Sequence, residues 1–283
     1  MPDPVQDTCY ARLPSRGVVR VSGPEAHDFL QGLVTNDMDK AEKAAIYAAL
    51  LTPQGKILFD FFILQSSEGY LLDCHGDDAP DLTKRLSMYR LRAKVEIADE
   101  SDLWTCFAVF GPEADQLSGT HADPRLAALG RRGLFIGSES VPEHSKIQSV
   151  SEEDYLTFCL SMGIANIPKD AGRDKTFLLE ANFDELNGVD FTKGCYVGQE
   201  LAARMKHRAK VRKRLLPIEI DGALPETGTP VLAGEREIGS LRSGIGNRAI
   251  ALIRIDRLDE AGDAPLTAGG CSLQVNWPVW LAR

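Results

Sequence analysis

Residues 17–22 (GVVRVS) alternate between apolar and polar and predict a strand. Gly23-Pro24 then opens a helix in which Phe29, Leu30 and Leu33 recur at helical spacing, with proline suited to the first helical position. Two apolar runs, 45–51 (AIYAALL) and 56–64 (KILFDFFIL), flank Thr52-Pro53-Gln54-Gly55. Proline at the second and glycine at the fourth position suit a β-turn, so the pair predicts a hairpin. A strand over 69–74 precedes a helix over 79–91 with Leu82, Leu86 and Tyr89 on one face, and strands follow at 93–98 and 103–110.

The stretch 119–149 is poor in pattern apart from a short strand near 133–137. Ser151-Glu152-Glu153-Asp154 matches a capping box, and Tyr155, Phe158, Cys159 and Met162 follow at helical spacing. Beyond Pro217 the chain breaks into short strands cut by Gly and Pro, the pattern of a small all-β unit. This organisation predicts three units: 1–115, an α+β region completed later in the chain; 116–208, a second α+β region; and 209–283, a C-terminal β-barrel.

Hydrophobic residues make up 43% of the 283 positions, enough for real cores, and the net charge of −9 argues against a general coat for nucleic acid or anionic membrane. No stretch approaches the roughly 18 apolar residues of a membrane span, and the first residues carry neither a secretory nor an Arg-rich transit pattern. Cysteines at 9, 74, 106, 159, 195 and 271 form no CxxC pair, and no zinc-ligand spacing occurs. The expectation is a reduced, cytoplasmic monomer without a metal site of its own. A G-x-G-x-x-A at 244–249 leads into strand-like AIALIRI, so Gly246-Asn247 reads as a hairpin turn rather than a dinucleotide loop.

The most concentrated chemistry lies at Lys193-Gly194-Cys195-Tyr196-Val197-Gly198-Gln199-Glu200. The two glycines allow tight backbone geometry, and a helix is expected to begin near Gly198. Cys195 would then stand before a helix N-terminus and beside Lys193, both of which favour thiolate. On composition, a reactive and a structural cysteine both remain open.

That run resembles the K-G-C-[FY]-x-G-Q-E signature of the YgfZ-type folate-binding proteins, relatives of the glycine cleavage T protein (aminomethyltransferase) that support iron–sulfur enzymes. Phe29-Leu30-Gln31-Gly32 with Thr35-Asn36-Asp37, the hairpin from Gly55 to Ile63, and Gly239 with Ser243 extend the similarity over nearly the whole chain. The resemblance implies an α+β fold of two α+β domains and a β-barrel around a central folate cavity. It also implies tetrahydrofolate or another reduced folate as cofactor, and iron–sulfur proteins or their assembly factors as partners.

In T-protein relatives, paired acids on the hairpin strand face the folate. Here Asp60 matches the second acid and Phe59 replaces the first. An acid inside LFDFFIL is costly to bury alone and requires a partner or a ligand. Arg173 to Ala181 resembles the segment whose glutamate holds the pterin, with one extra residue between Arg173 and Glu180; a strand-end acid is the alternative for Glu180. Cys195 and Asp60 are the catalytic candidates, and Asp60, Glu180 and Arg204 the cofactor-binding ones.

Residues 204–214 (RMKHRAKVRKR) hold seven Lys or Arg, suited to a folate polyglutamate tail, to RNA, or to a solvated face. Three functions therefore compete: a folate-binding accessory of iron–sulfur maturation, a folate-dependent aminomethyltransferase or demethylase, and a non-catalytic RNA- or protein-binding scaffold.

Overall fold

The computed structural model describes residues 7–112, 114, 119–137, 147–208 and 211–282. Two five-stranded sheets and a closed barrel organise them. The first sheet contains β2 (Arg16–Ser22), β3 (Ile46–Leu51), β4 (Ile57–Ser66), β5 (Gly69–His75) and β6 (Glu96–Asp99), in the order β3-β4-β5-β2-β6. Helices α1 (Ala26–Gln31), α2 (Met38–Ala41) and α3 (Ala79–Arg90) cover one face. The hairpin forms as expected, with Tyr47 opposite Phe62 and Ala49 opposite Asp60. Helix α3 buries Leu82 and Leu86, while the strand expected at 93–98 begins only at Glu96.

The second sheet joins β1 (Cys9–Arg12), β7 (Trp104–Phe110), β8 (His121–Ala122), β9 (Arg131–Ile136) and β10 (Gln148–Val150), in the order β10-β1-β7-β9-β8. Its pairing of β1 with β10 is parallel. Helix α4 (Glu152–Ser161) packs on it, and its N-terminus carries the expected reciprocal cap between Ser151 and Asp154. After α5 (Ile167–Asp170), an irregular segment leads to α6 (Gln199–Arg208). Residues 138–146 of the pattern-poor stretch lie outside the described residues.

The barrel closes as β11-β14-β13-β12-β15-β16 from β11 (Lys213–Asp221), β12 (Pro230–Ala233), β13 (Arg236–Ile245), β14 (Arg248–Arg254), β15 (Leu266–Ala268) and β16 (Cys271–Val275), with α7 (Ile255–Ala261) after β14. Pro217 stands within β11, not ahead of the barrel, and its carbonyl accepts from the Asn276 N–H. Gly246-Asn247 is the turn between β13 and β14. The barrel is tied to the rest by Asp170, which accepts hydrogen bonds from the Ser243 backbone N–H at 2.9 Å and hydroxyl at 2.6 Å.

Candidate functional site

Strand alternation on β4 sends Phe59, Phe61 and Ile63 into the core under the helices and turns Asp60 and Phe62 to the other face. There they line a cavity to which all three parts of the molecule contribute: Arg16 from the first sheet, Arg125, Arg132 and Tyr155 from the second region, and Ile245 from the barrel. The Tyr47 hydroxyl, on the neighbouring strand, donates to Asp60 Oδ2 at 3.0 Å. Asp60 Oδ1 is buried with no hydrogen-bond partner among the described residues. Burial raises the Asp60 pKa, and the charges of Arg16 and Arg125 together with the Tyr47 hydrogen bond only partly oppose it. The side chain is therefore suited to accept an N–H through Oδ1, or to hold and release a proton there.

Three guanidinium groups surround the Phe62 ring, those of Arg132 at 4.1 Å, Arg125 at 5.0 Å and Arg16 at 5.5 Å from its centre. Asp73 pairs with Arg16 at 2.6 Å and Arg132 at 2.7 Å, and Asp123 pairs with Arg125 at 2.7 Å. Arg125 and Arg132 each donate to the Tyr155 oxygen at 3.3 Å. Three cations thus face two paired carboxylates around the Phe62 ring, and Glu152, Lys169 and Asp170 add further charges of both signs to the cavity wall. Sequence reasoning missed this network. Its signal was present: Asp73 lies in the apolar run GYLLDC just as Asp60 lies in LFDFFIL.

The motif around Cys195 is built for a different purpose at each position. Lys193 is buried, and its ammonium donates to the carbonyls of Gln31 at 2.8 Å, Val34 at 2.7 Å and Asn36 at 2.7 Å. Burial pulls its pKa down to about 8, so near neutrality it carries three N–H groups for three acceptors. This corrects the expectation that Lys193 serves the thiol: its donors are consumed in locking the motif onto the end of α1. Tyr196 is buried beneath it. Gly198 has φ +83°, and a Cβ there would stand 2.5 Å from the Thr52 carbonyl, so the hairpin turn and the start of α6 meet only because the residue is glycine. Gln199 opens α6, and Glu200 is exposed in its first turn. Gly194 and Cys195 are exposed, and a Cβ on Gly194 would meet nothing within 4 Å. All six cysteines are free, with Cys9, Cys74, Cys106 and Cys159 buried.

The remaining candidates are not brought to the cavity. Glu180 turns back on its own segment, where Oε2 accepts from the Phe177 N–H at 3.1 Å, and it does not line the space beside Asp60. Arg204 is exposed on α6 and lines neither side of that space. Arg173, by contrast, does line the space on one side of Asp60, where it pairs with Asp78 and Asp81 and lies 4.7 Å over the ring of Phe59. The basic run is partly structural, since Arg214 and Lys206 both pair with Asp184. Lys210 and the side chain of Arg208 lie outside the described residues.

Two family models match this chain: the GCVT N-terminal domain over residues 14–127 and the CAF17 C-terminal β-barrel domain over 212–283. The fold is that of the glycine cleavage aminomethyltransferase T from Bartonella henselae, with a TM-score of 0.75 at 15% identity over 98% of this chain and 87% of that one. The iron–sulfur cluster assembly factor IBA57 of Mus musculus is 34% identical, covering 90% of this chain and 80% of its own. That of Homo sapiens is 32% identical over 98% and 88%, and the homologue of Pyricularia oryzae 32% over 87% and 72%. These relatives are named mitochondrial, which overturns the cytoplasmic expectation.

Proposed function

The chain belongs to the IBA57 family of iron–sulfur cluster assembly factors, and on that premise we propose that it supports maturation of iron–sulfur proteins through Cys195, with a reduced folate held against Asp60. The observation that carries this reading is the contrast within the motif. Lys193, Tyr196 and Gly198 are consumed in packing, whereas Gly194 and Cys195 face outward with no packing role. An exposed thiol has the access that a cluster or a partner's cluster-bearing surface requires.

Among the described residues no three His, Cys, Asp or Glu side chains are grouped to hold a metal. A cluster is ordinarily held by four protein ligands. Cys195 therefore acts as one ligand, with the others supplied by a partner protein. The cluster is cargo passed through that shared contact.

For the folate, Asp60 supplies the fit. Its buried, unpartnered Oδ1 accepts an N–H of the pterin ring inside a cavity that all three parts of the molecule line. A bound reduced folate supplies one-carbon or reducing chemistry. Asp60 orients the ring and holds or releases a proton at Oδ1. Glu180 and Arg204 would have to move to reach the same ligand, so Asp60 is the anchor.

An aminomethyltransferase reading is weaker, because Phe59 stands where T-protein relatives carry the first acid. An RNA scaffold is weaker because Lys206 and Arg214 are both engaged by Asp184 and so are partly committed within the fold. Calorimetric titration with tetrahydrofolate tests the folate assignment. Saturable heat in the wild type, weakened about tenfold or more in Asp60→Asn, is expected; no heat at millimolar ligand overturns it. The maturation role is tested by cluster-dependent enzyme activity in cells whose own family member is replaced by the Cys195→Ala protein.

A further inference from the structure

The end of α3 carries a surface for which neither Asp60 nor Cys195 accounts. From Lys84 to Lys94 the chain reads KRLSMYRLRAK, five cations and no acid within a protein of net charge −9. Arg85, Arg90, Arg92 and Lys94 make no ion pair with any described carboxylate. Among them stand two large apolar side chains in water, Met88 at 63% and Leu91 at 88% exposure. Lys84 and Met88 lie one turn apart on one face of α3, and Arg90, Leu91, Arg92 and Lys94 border one cleft at its end.

The backbone adds a second, independent observation. Leu91 ends the helix at φ +46° and ψ −103°, a conformation that glycine takes freely and a bulky residue does not. A strained position whose side chain is also exposed is unfavourable twice over for the chain by itself, and strain of this kind gathers at binding sites. Beside it lies a shallow cleft bordered by Gly23, Pro24, Glu68, Arg92 and Glu96.

We propose that this tip of α3 docks an acidic segment of a partner protein, with partner carboxylates on Arg90 and Arg92 and an apolar partner side chain against Met88 and Leu91. Charge complementarity selects the occupant: unpaired guanidinium groups offer planar, bidentate donors matched to carboxylates. Glu68 and Glu96 on the cleft border oppose a phosphate-dense surface such as a bilayer or an RNA, while leaving room for a peptide of a few charges. The surface lies at the β6 edge of the first sheet, away from the β3-β4 hairpin that carries Asp60, so docking leaves the cavity open.

The test is fluorescence anisotropy of the full chain with a fluorescein-labelled peptide bearing four glutamates around one leucine. Saturable binding that weakens between 50 and 200 mM salt is expected, with a loss of about tenfold or more in the Arg90→Glu, Arg92→Glu double variant. Leu91→Gly separates the strain from the contact. It is expected to raise the melting temperature while weakening the peptide about threefold or more. Circular dichroism checks that each variant is folded. The proposal is overturned if the wild type does not bind the peptide, or if the charge-reversed variant binds it equally. It is also overturned if phosphatidylglycerol vesicles or an RNA oligonucleotide bind this surface and the peptide does not.

Discussion

Tyr47 donates to one oxygen of Asp60 at 3.0 Å and leaves the other buried and unpartnered among the described residues. This asymmetry leaves Asp60 with an open acceptor, which is why we propose it as a binding group. Its pKa is raised by burial, so its contribution to stability is present below the unfolded value of about 3.9 and is lost as pH rises through the folded value. An Asn escapes that loss. Asp60→Asn should therefore gain stability relative to the wild type as pH rises from 4 to 8, while folate affinity falls. Chemical denaturation at a series of pH values checks the sign; a relative stability that declines over this range contradicts it.

Asp73 has the opposite linkage. Arg16 and Arg132 hold its pKa below the usual carboxylate range despite burial. The stability it contributes is present above the unfolded value and lost as pH falls through the lowered one. Asp73→Asn leaves two guanidinium groups without their carboxylate and should cost about 3–5 kcal/mol at pH 7. The difference between variant and wild type should shrink on acidification below about pH 4, measured by the same denaturation series.

Lys193→Met keeps the apolar stem but strips the donors from three buried carbonyls. A loss of about 2–4 kcal/mol is expected, read from the midpoint of urea unfolding. A loss below about 0.5 kcal/mol would show that the carbonyls find other donors.

The two glycines of the motif should behave differently. Gly198→Ala places a methyl 2.5 Å from the Thr52 carbonyl at φ +83° and should cost about 2–4 kcal/mol. Gly194→Ala meets nothing within 4 Å and should leave stability within about 0.5 kcal/mol. Any functional defect in Gly194→Ala then reports on an outside contact, and thermal melts of the two variants make the comparison.

The elements with local signals were legible in the sequence: the hairpin about Thr52-Gly55, the Ser151 cap, and the turn at Gly246-Asn247. The pairing of β1 with β10 was not, because Cys9 and Gln148 meet across the chain with no local pattern to announce it. Asp60 was legible as a misfit in an apolar strand. The arginines around Phe62 come from two distant segments, Arg16 from one and Arg125 and Arg132 from the other, and their convergence is a property of the tertiary fold alone. Lys193 misled for a related reason. A lysine two residues from a cysteine suggests an electrostatic neighbour, whereas its length carries its ammonium to the end of α1.

The exposure of Cys195 is the claim on which the function rests. Its thiol should react with iodoacetamide in the folded protein while Cys106, 4% exposed, remains protected. Site-resolved mass spectrometry of labelled protein reads both; equal rates would remove the case for an accessible thiol.

The decisive measurement is made in cells lacking their own family member and given this gene. Cluster-dependent enzyme activities, normalised to the amount of each enzyme, should recover with the wild type and fail with Cys195→Ala expressed at the same level. Full recovery with Cys195→Ala would contradict the account.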